Sequence, residues 1–147
     1  MFSRILFPVD GSEISGKAIR QAVEFAREAG ASLVAFHAAP VHRPMVYEGF
    51  LPSDYLVPER VREATERQAR RVLAPVEKAC NKAGVPCDAI FVVHDSPYEA
   101  IIAAAKKHRC DLVVMASHGR RGLSGLLLGS ETTKVLTHGR TPVLVLR

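Results

Sequence analysis

The sequence predicts an α/β protein built on a doubly wound, mainly parallel sheet of five strands with helices on both faces. Three observations carry this. Strand-like and helix-like segments alternate from one end of the chain to the other. The strand-like segments are apolar at nearly every residue, as strands covered on both faces are, rather than alternating apolar with polar. No linker or internal repeat interrupts the 147 residues, and a chain of this size buries about 68–70% of its unfolded surface without disulfide or metal staples. One domain over residues 1–147 is expected.

The first strand falls over residues 2–9 and stops at Asp10, Gly11 and Ser12, a turn cluster able to cap a helix. From 13 to 29, Ile14, Ala18, Ala22, Phe25, Ala26 and Ala29 recur at helical spacing, and Gly30 is placed to end that helix. Residues 32–39 read as a second buried strand. The stretch 40–58 breaks the rhythm with Pro40, Pro44, Pro52 and Pro58 among Tyr47, Phe50 and Tyr55. Loops this long tend to be functional, and the three aromatics suit either a lid over a ligand or a partner contact. Pro58 fits the first turn of a helix reaching Gly84, with Val61, Ala64, Val72, Val76, Ala79 and Ala83 on one face. Pro75 within it predicts a kink or break. Residues 89–93 form the third strand. Ser96, Pro97 and Glu99 then supply the cap, first-turn proline and reciprocal acid of a capping box for a helix over 97–108. Residues 112–116 are the fourth strand and 119–129 a Gly-rich loop. A helix over 130–138 ends at Gly139, and 142–147 is the fifth strand.

Composition narrows the function classes. An apolar share of 48% against 24% charged residues excludes a disordered tail. No apolar run approaches the ~18 residues of a membrane span. Residues 1–10 carry one Arg, a short apolar stretch and then an acid, which does not read as a signal peptide, so the cytoplasm is expected. Cys80, Cys87 and Cys110 are odd in number and lack zinc-site spacing, and are expected to be small core or surface thiols. Twenty Lys and Arg against 15 Asp and Glu give +5, a mild preference for anionic partners. Much of that charge is self-neutralised, as in the (i, i+4) pairs Glu63/Arg67 and Glu66/Arg70. No aromatic platform is interleaved with it, so neither nucleic acid nor membrane is an expected partner.

In a doubly wound sheet, ligands bind beyond the carboxyl ends of the strands where the strand order reverses. The candidates there are Pro8, Val9, Asp10 and Gly11; Ala38, Ala39 and Val41; His94; and Ser117, His118 and Gly119. His37 and His94 lie in or at the end of apolar strands and read as hydrogen-bonded structural histidines, and His118 as a loop histidine. Gly119, Gly122 and Gly125 let backbone approach a ligand, Arg120 and Arg121 add charge, and Gly129 with Ser130 opens a helix whose free N–H groups suit a phosphate. Read as spacing alone, the same residues equally make ordinary turns and a cap. The loop is neither a Walker loop, since no Lys follows Gly129, nor a GxGxxG fingerprint.

Taken together, Pro8 to Ser12 after the first strand, Asp111 to Gly119, the Gly129-Ser130 pair and Thr141 to Val145 resemble the universal stress protein family over essentially the whole chain. The nucleotide-binding branch of that family carries Gly, two residues, Gly, nine residues, then Gly with Ser or Thr. Gly119, the nine residues to Leu128, and Gly129-Ser130 match, while Ala116 stands at the first Gly. Alanine fits there if φ is negative, which is the expectation, whereas a positive φ would cost on the order of 1 kcal/mol.

The resemblance implies a flavodoxin-like or Rossmann-like fold of the adenine nucleotide alpha hydrolase type, binding ATP or AMP. Pro8, Val9 and Asp10 would line adenosine, with Asp10 accepting from adenine or ribose, and Val41 or the adjacent backbone would border adenine. Met115 and Ala116 would floor the ribose, and Gly119 and Arg120 would flank the phosphates. Gly129, Ser130, Glu131 and Thr132 would offer N–H and hydroxyl donors, with the Glu131 carboxylate turned away or meeting a cation such as Mg²⁺. The apolar Val143 to Leu146 implies a homodimer paired through the last strand. The expected role is regulatory, the nucleotide state being read by a protein partner the sequence does not name. The alternatives are a slow ATP hydrolase, for which no base and nucleophile pair stands out and no catalytic residue is assigned, and a nucleotide-free interaction module.

Overall fold

A computed structural model describes residues 1–12, 16–42, 48–49, 57–117 and 128–147. Among these residues nine elements run in the order β1 (Arg4–Pro8), α1 (Gly16–Ala29), β2 (Ser32–Ala39), α2 (Pro58–Ala83), β3 (Cys87–Val93), α3 (Pro97–Lys107), β4 (Leu112–Ala116), α4 (Ser130–His138) and β5 (Val143–Leu146). The strands form one sheet in the order β3-β2-β1-β4-β5, and all four neighbouring pairs are parallel. The expected sheet is thus observed, and wholly rather than mainly parallel. Strand order reverses between β1 and β4, which is where the chain returns from β3 at one edge to the middle of the sheet.

Side-chain alternation divides the core between two layers. Ile5, Phe7, Leu33, Ala35, Leu112 and Val114 face α1 and α2, packing on Ala22, Val23, Ala26, Leu73 and Val76. Leu6, Val34, Phe36, Val113 and Met115 face α3 and α4, packing on Ala100, Ile101, Ala104 and Val135. Because both faces are covered, the central strands carry apolar residues on both sides, which is the pattern the sequence displays.

The bounds of β2, β4 and α4 match expectation, whereas β1 and β5 are shorter than predicted and β3 begins two residues earlier. Ile14, the Tyr47, Phe50 and Tyr55 cluster, His118 and the loop glycines Gly119, Gly122 and Gly125 lie outside the described residues. Helix α2 departs from expectation in the face it buries, and of the kink or break expected at Pro75 it shows no break. Its buried stripe is Thr65, Ala69, Leu73, Val76 and Cys80, while Ala64 is exposed and Val61, Val72, Ala79 and Ala83 only flank the stripe. Thr65 can occupy that stripe because its hydroxyl donates to the Val61 carbonyl at 2.9 Å. The helix also runs through Pro75 unbroken. Proline cannot donate to the Arg71 carbonyl, but both residues are exposed, so water can serve that oxygen.

Candidate functional site

Reversal of strand order leaves a cleft of about 490 Å³ beyond the carboxyl ends of the strands, on the α3 and α4 side of the sheet. Its near wall comes from the end of β1. The Val9 N–H donates to the Phe36 carbonyl at 2.8 Å, and the Val9 carbonyl accepts from Nδ1 of the buried His37, also at 2.8 Å. That bond fixes His37 as the Nδ1–H donor and makes it a bolt beneath the cleft rather than part of its surface. Asp10 comes next, half-buried. Its Oδ1 accepts from the Ser12 N–H at 2.9 Å and from the Ser12 hydroxyl at 2.5 Å, and Gly11 between them takes the left-handed φ of 79° that this turn requires.

The floor is the end of β4. Met115 is buried, and Ala116 is the last residue of the strand with no positive φ, so the backbone there accommodates a Cβ as expected. Past β4, the Ser117 N–H donates to Leu146 and its carbonyl accepts from the Gly129 N–H at 2.8 Å, which returns the chain to the start of α4 at the mouth of the cleft. Gly129 sits at φ −64° and ψ 150°, a conformation open to any residue, so its distinction is the missing side chain. No side chain among the described residues caps α4. Its first-turn N–H groups and positive dipole end are aimed at the cleft mouth, a favourable arrangement for an anion.

Nine of the twelve residues expected to contact a nucleotide line this cleft: Pro8, Val9, Asp10, Met115, Ala116, Gly129, Ser130, Glu131 and Thr132. Gly119 and Arg120 lie outside the described residues. Val41 does not line it. The N–H of Val41 turns toward Asp95 Oδ1 at 3.4 Å and its side chain is exposed, while the adjacent Pro40 lines the cleft. The Thr132 side chain has a different use from that expected, whereas the Glu131 carboxylate takes partners of its own. The Thr132 hydroxyl is buried and lies 3.4 Å from the Ala116 carbonyl, tying α4 to β4 instead of offering a donor to the cleft. The Glu131 carboxylate is turned away from the mouth of the cleft. One oxygen accepts from the Tyr98 N–H in the first turn of α3 at 2.9 Å, and the other pairs with Lys134 Nζ at 3.1 Å.

That bond replaces the capping box expected for α3. Ser96 makes no side-chain cap, its N–H donates to His94 Nδ1 at 2.9 Å, and Glu99 accepts from the Tyr98 hydroxyl. Neutral His94 therefore carries its proton on Nε2. Ala38 and His94, candidates at the strand ends, also line the cleft, and Phe36, Asp95, Pro97, Ile101 and Lys134, none of them expected there from the sequence, complete the lining. Phe36 and Ile101 could have been found from strand parity and helical spacing, since both belong to the layer that opens on the cleft. Lys134 carries no local signal. Its ammonium is placed by Glu131 and by the Tyr98 ring, whose centroid is 5.5 Å away. Among the described residues no three His, Cys, Asp or Glu side chains gather as a metal site, and no helix is long and apolar enough to cross a membrane.

A family model described as the universal stress protein family matches residues 1–147. A universal stress protein of Thermus aquaticus is 33% identical over 147 residues, covering all of both chains. Among solved structures, MJ0577 of Methanocaldococcus jannaschii superposes with a TM-score of 0.77 at 24% identity, over 99% of this chain and 96% of that one. A universal stress protein solved in complex with cAMP gives a TM-score of 0.70 at 22% identity, over 99% and 97%.

Proposed function

Because this chain belongs to the universal stress protein family, we propose that it is an adenine-nucleotide-binding regulatory protein of the stress response, holding ATP or AMP in the cleft where strand order reverses. The observation that carries the reading is the meeting of two features in one cleft: an apolar floor of Phe36, Ile101 and Met115, and the N-terminus of α4, which no side chain among the described residues caps. The first suits a base and sugar and the second suits phosphates. A volume of about 490 Å³ falls within the usual ~300–1,000 Å³ of small-molecule sites. The cAMP complex of a protein with this fold supports an adenine nucleotide as the occupant.

In this reading Pro8, Val9 and Pro40 border the adenosine, Asp10 accepts from adenine or ribose, and Met115 and Ala116 lie beneath the ribose. Phosphates meet the backbone N–H groups that come after Gly129 together with the Ser130 hydroxyl, with Gly119 and Arg120 flanking them. Glu131 and Thr132 contribute backbone rather than side chain. The Glu131 charge is already balanced by Lys134 and the α3 N-terminus, which removes the need for Mg²⁺ at that carboxylate. The protein acts in the cytoplasm, and the nucleotide state is read by a protein partner. We further propose a homodimer paired through β5, which ends the sheet opposite β3 and leaves Val143, Leu144, Val145 and Leu146 only half-buried.

Denaturing the purified protein and identifying released nucleotide by chromatography and mass spectrometry, then titrating ATP and AMP into stripped protein, tests the site. Asp10→Ala removes an acceptor and Gly129→Val adds a branched side chain at the phosphate end. Each is expected to weaken binding by about tenfold or more, equivalent to ~1.4 kcal/mol. Unchanged affinity in both folded variants overturns the site, and absence of both carried nucleotide and a titration signal overturns the binding function.

A further inference from the structure

The charges that line the cleft are unbalanced. Among the described residues there are three carboxylates, Asp10, Asp95 and Glu131, against one Lys or Arg side chain, Lys134. Asp10 follows β1 and Asp95 follows β3, whereas Glu131 is the second residue of α4 and shares a turn with the N–H groups open to an anion. A bare carboxylate at that place would repel any phosphate those groups attract.

Lys134 is held where it masks that carboxylate. It stands three residues after Glu131, a spacing that puts both side chains on one face of α4, and its Nζ lies 3.1 Å from Glu131 Oε1. The Tyr98 ring of α3 faces the same ammonium, with its centroid 5.5 Å from Nζ. The second Glu131 oxygen accepts from the Tyr98 N–H at 2.9 Å, so the carboxylate is anchored to α3 and cannot simply leave the cleft. The Lys134 and Glu131 side chains keep 49% and 35% of their surface exposed, so the pair adds little to fold stability, and its charge is open to the cleft.

From this arrangement we infer that Lys134 is a specificity-determining residue of the cleft: by neutralising Glu131 it sets how much the site gains from each added phosphate. The inference rests on the adenine-nucleotide reading above. In the native chain the pair is neutral, and the N–H groups and dipole of α4 act on a phosphate unopposed. Without the ammonium the pair carries one negative charge, and without the carboxylate one positive charge. The effect of either change grows with ligand charge, which rises from adenosine through AMP to ATP, while the base and sugar contacts are common to all three.

The test is calorimetric titration of adenosine, AMP and ATP into the stripped full chain and into Lys134→Gln, Glu131→Gln and the double variant. EDTA is present, so that no divalent cation bridges carboxylate to phosphate. Glutamine at 131 keeps an oxygen able to accept from the Tyr98 N–H, which separates charge from the α3 contact. Lys134→Gln is expected to weaken ATP about fivefold and AMP about twofold with adenosine unchanged, and Glu131→Gln to tighten ATP by a similar factor. The double variant is expected to return to native affinity and Lys134→Arg to retain it, with all differences shrinking as salt is raised. A native chain that binds none of the three ligands overturns the nucleotide reading and this inference with it. Native binding of ATP combined with no change in Lys134→Gln, with equal losses for adenosine and ATP in that variant, or with weaker ATP binding in Glu131→Gln overturns the inference alone.

Discussion

Asp111 shows at the scale of one residue how a motif position can be structural. It precedes β4, and its carboxylate accepts from the Ser3 N–H at 2.8 Å, the Ser3 hydroxyl at 2.7 Å and the Arg4 N–H at 3.0 Å, while its own N–H donates to the Arg4 carbonyl. Burial works to raise its pKa, but these donors outweigh that and hold it below the usual carboxylate value. A depressed folded pKa contributes stability that is present above the unfolded value, near pH 4, and is lost as pH falls through the folded one. Asp111→Asn is therefore expected to flatten the acid limb of a stability–pH profile, and Asp111→Ala to cost about 1–2 kcal/mol at neutral pH, both read from urea unfolding. An unchanged acid limb in Asp111→Asn would remove this carboxylate from the account. Glu131 makes the complementary point. Its acidity near a helix start was legible in the sequence, but its bond to Tyr98 was not, because α3 and α4 become neighbours only through the fold.

Among the elements, α2 best separates local from tertiary information. Its start at Pro58 and its end at Gly84 come from backbone chemistry that any sequence displays: a fixed φ at the first turn and a left-handed C-cap. A Cβ at Gly84 would meet nothing within 4 Å, so only the φ of 70° resists substitution. Gly84→Ala should then lower stability by about 1 kcal/mol through backbone strain alone, and Gly84→Asn by less, since asparagine tolerates that region. Equal urea midpoints for all three proteins would count against the strain argument. Which face of α2 is buried was harder to read. Small apolar residues occur on several sides of this helix, and the deciding stripe includes Thr65, whose polarity is cancelled by the Val61 carbonyl.

At the scale of the whole molecule, the order β3-β2-β1-β4-β5 places the cleft between β1 and β4 and leaves β3 and β5 as the two edges. Pairing of two copies through β5 predicts a sedimenting species of twice the 16.0 kDa chain at micromolar concentration. Val145→Pro, which would block strand pairing, should shift it toward the monomer, and a wild-type monomer would exclude this mode of assembly. The alternation of segments, their apolar runs, the turn at Asp10 to Ser12 and the Gly129-Ser130 start of α4 were all determined by the sequence. Each rests on backbone preferences and hydrophobic periodicity acting over a few neighbouring residues. Tertiary structure alone decided that Pro40 lines the cleft while the Val41 side chain is exposed, that Glu131 caps α3, and that Lys134 faces the same space. Those outcomes depend on which side chains meet after distant segments pack, and side-chain partnership across elements leaves no periodic trace in the chain.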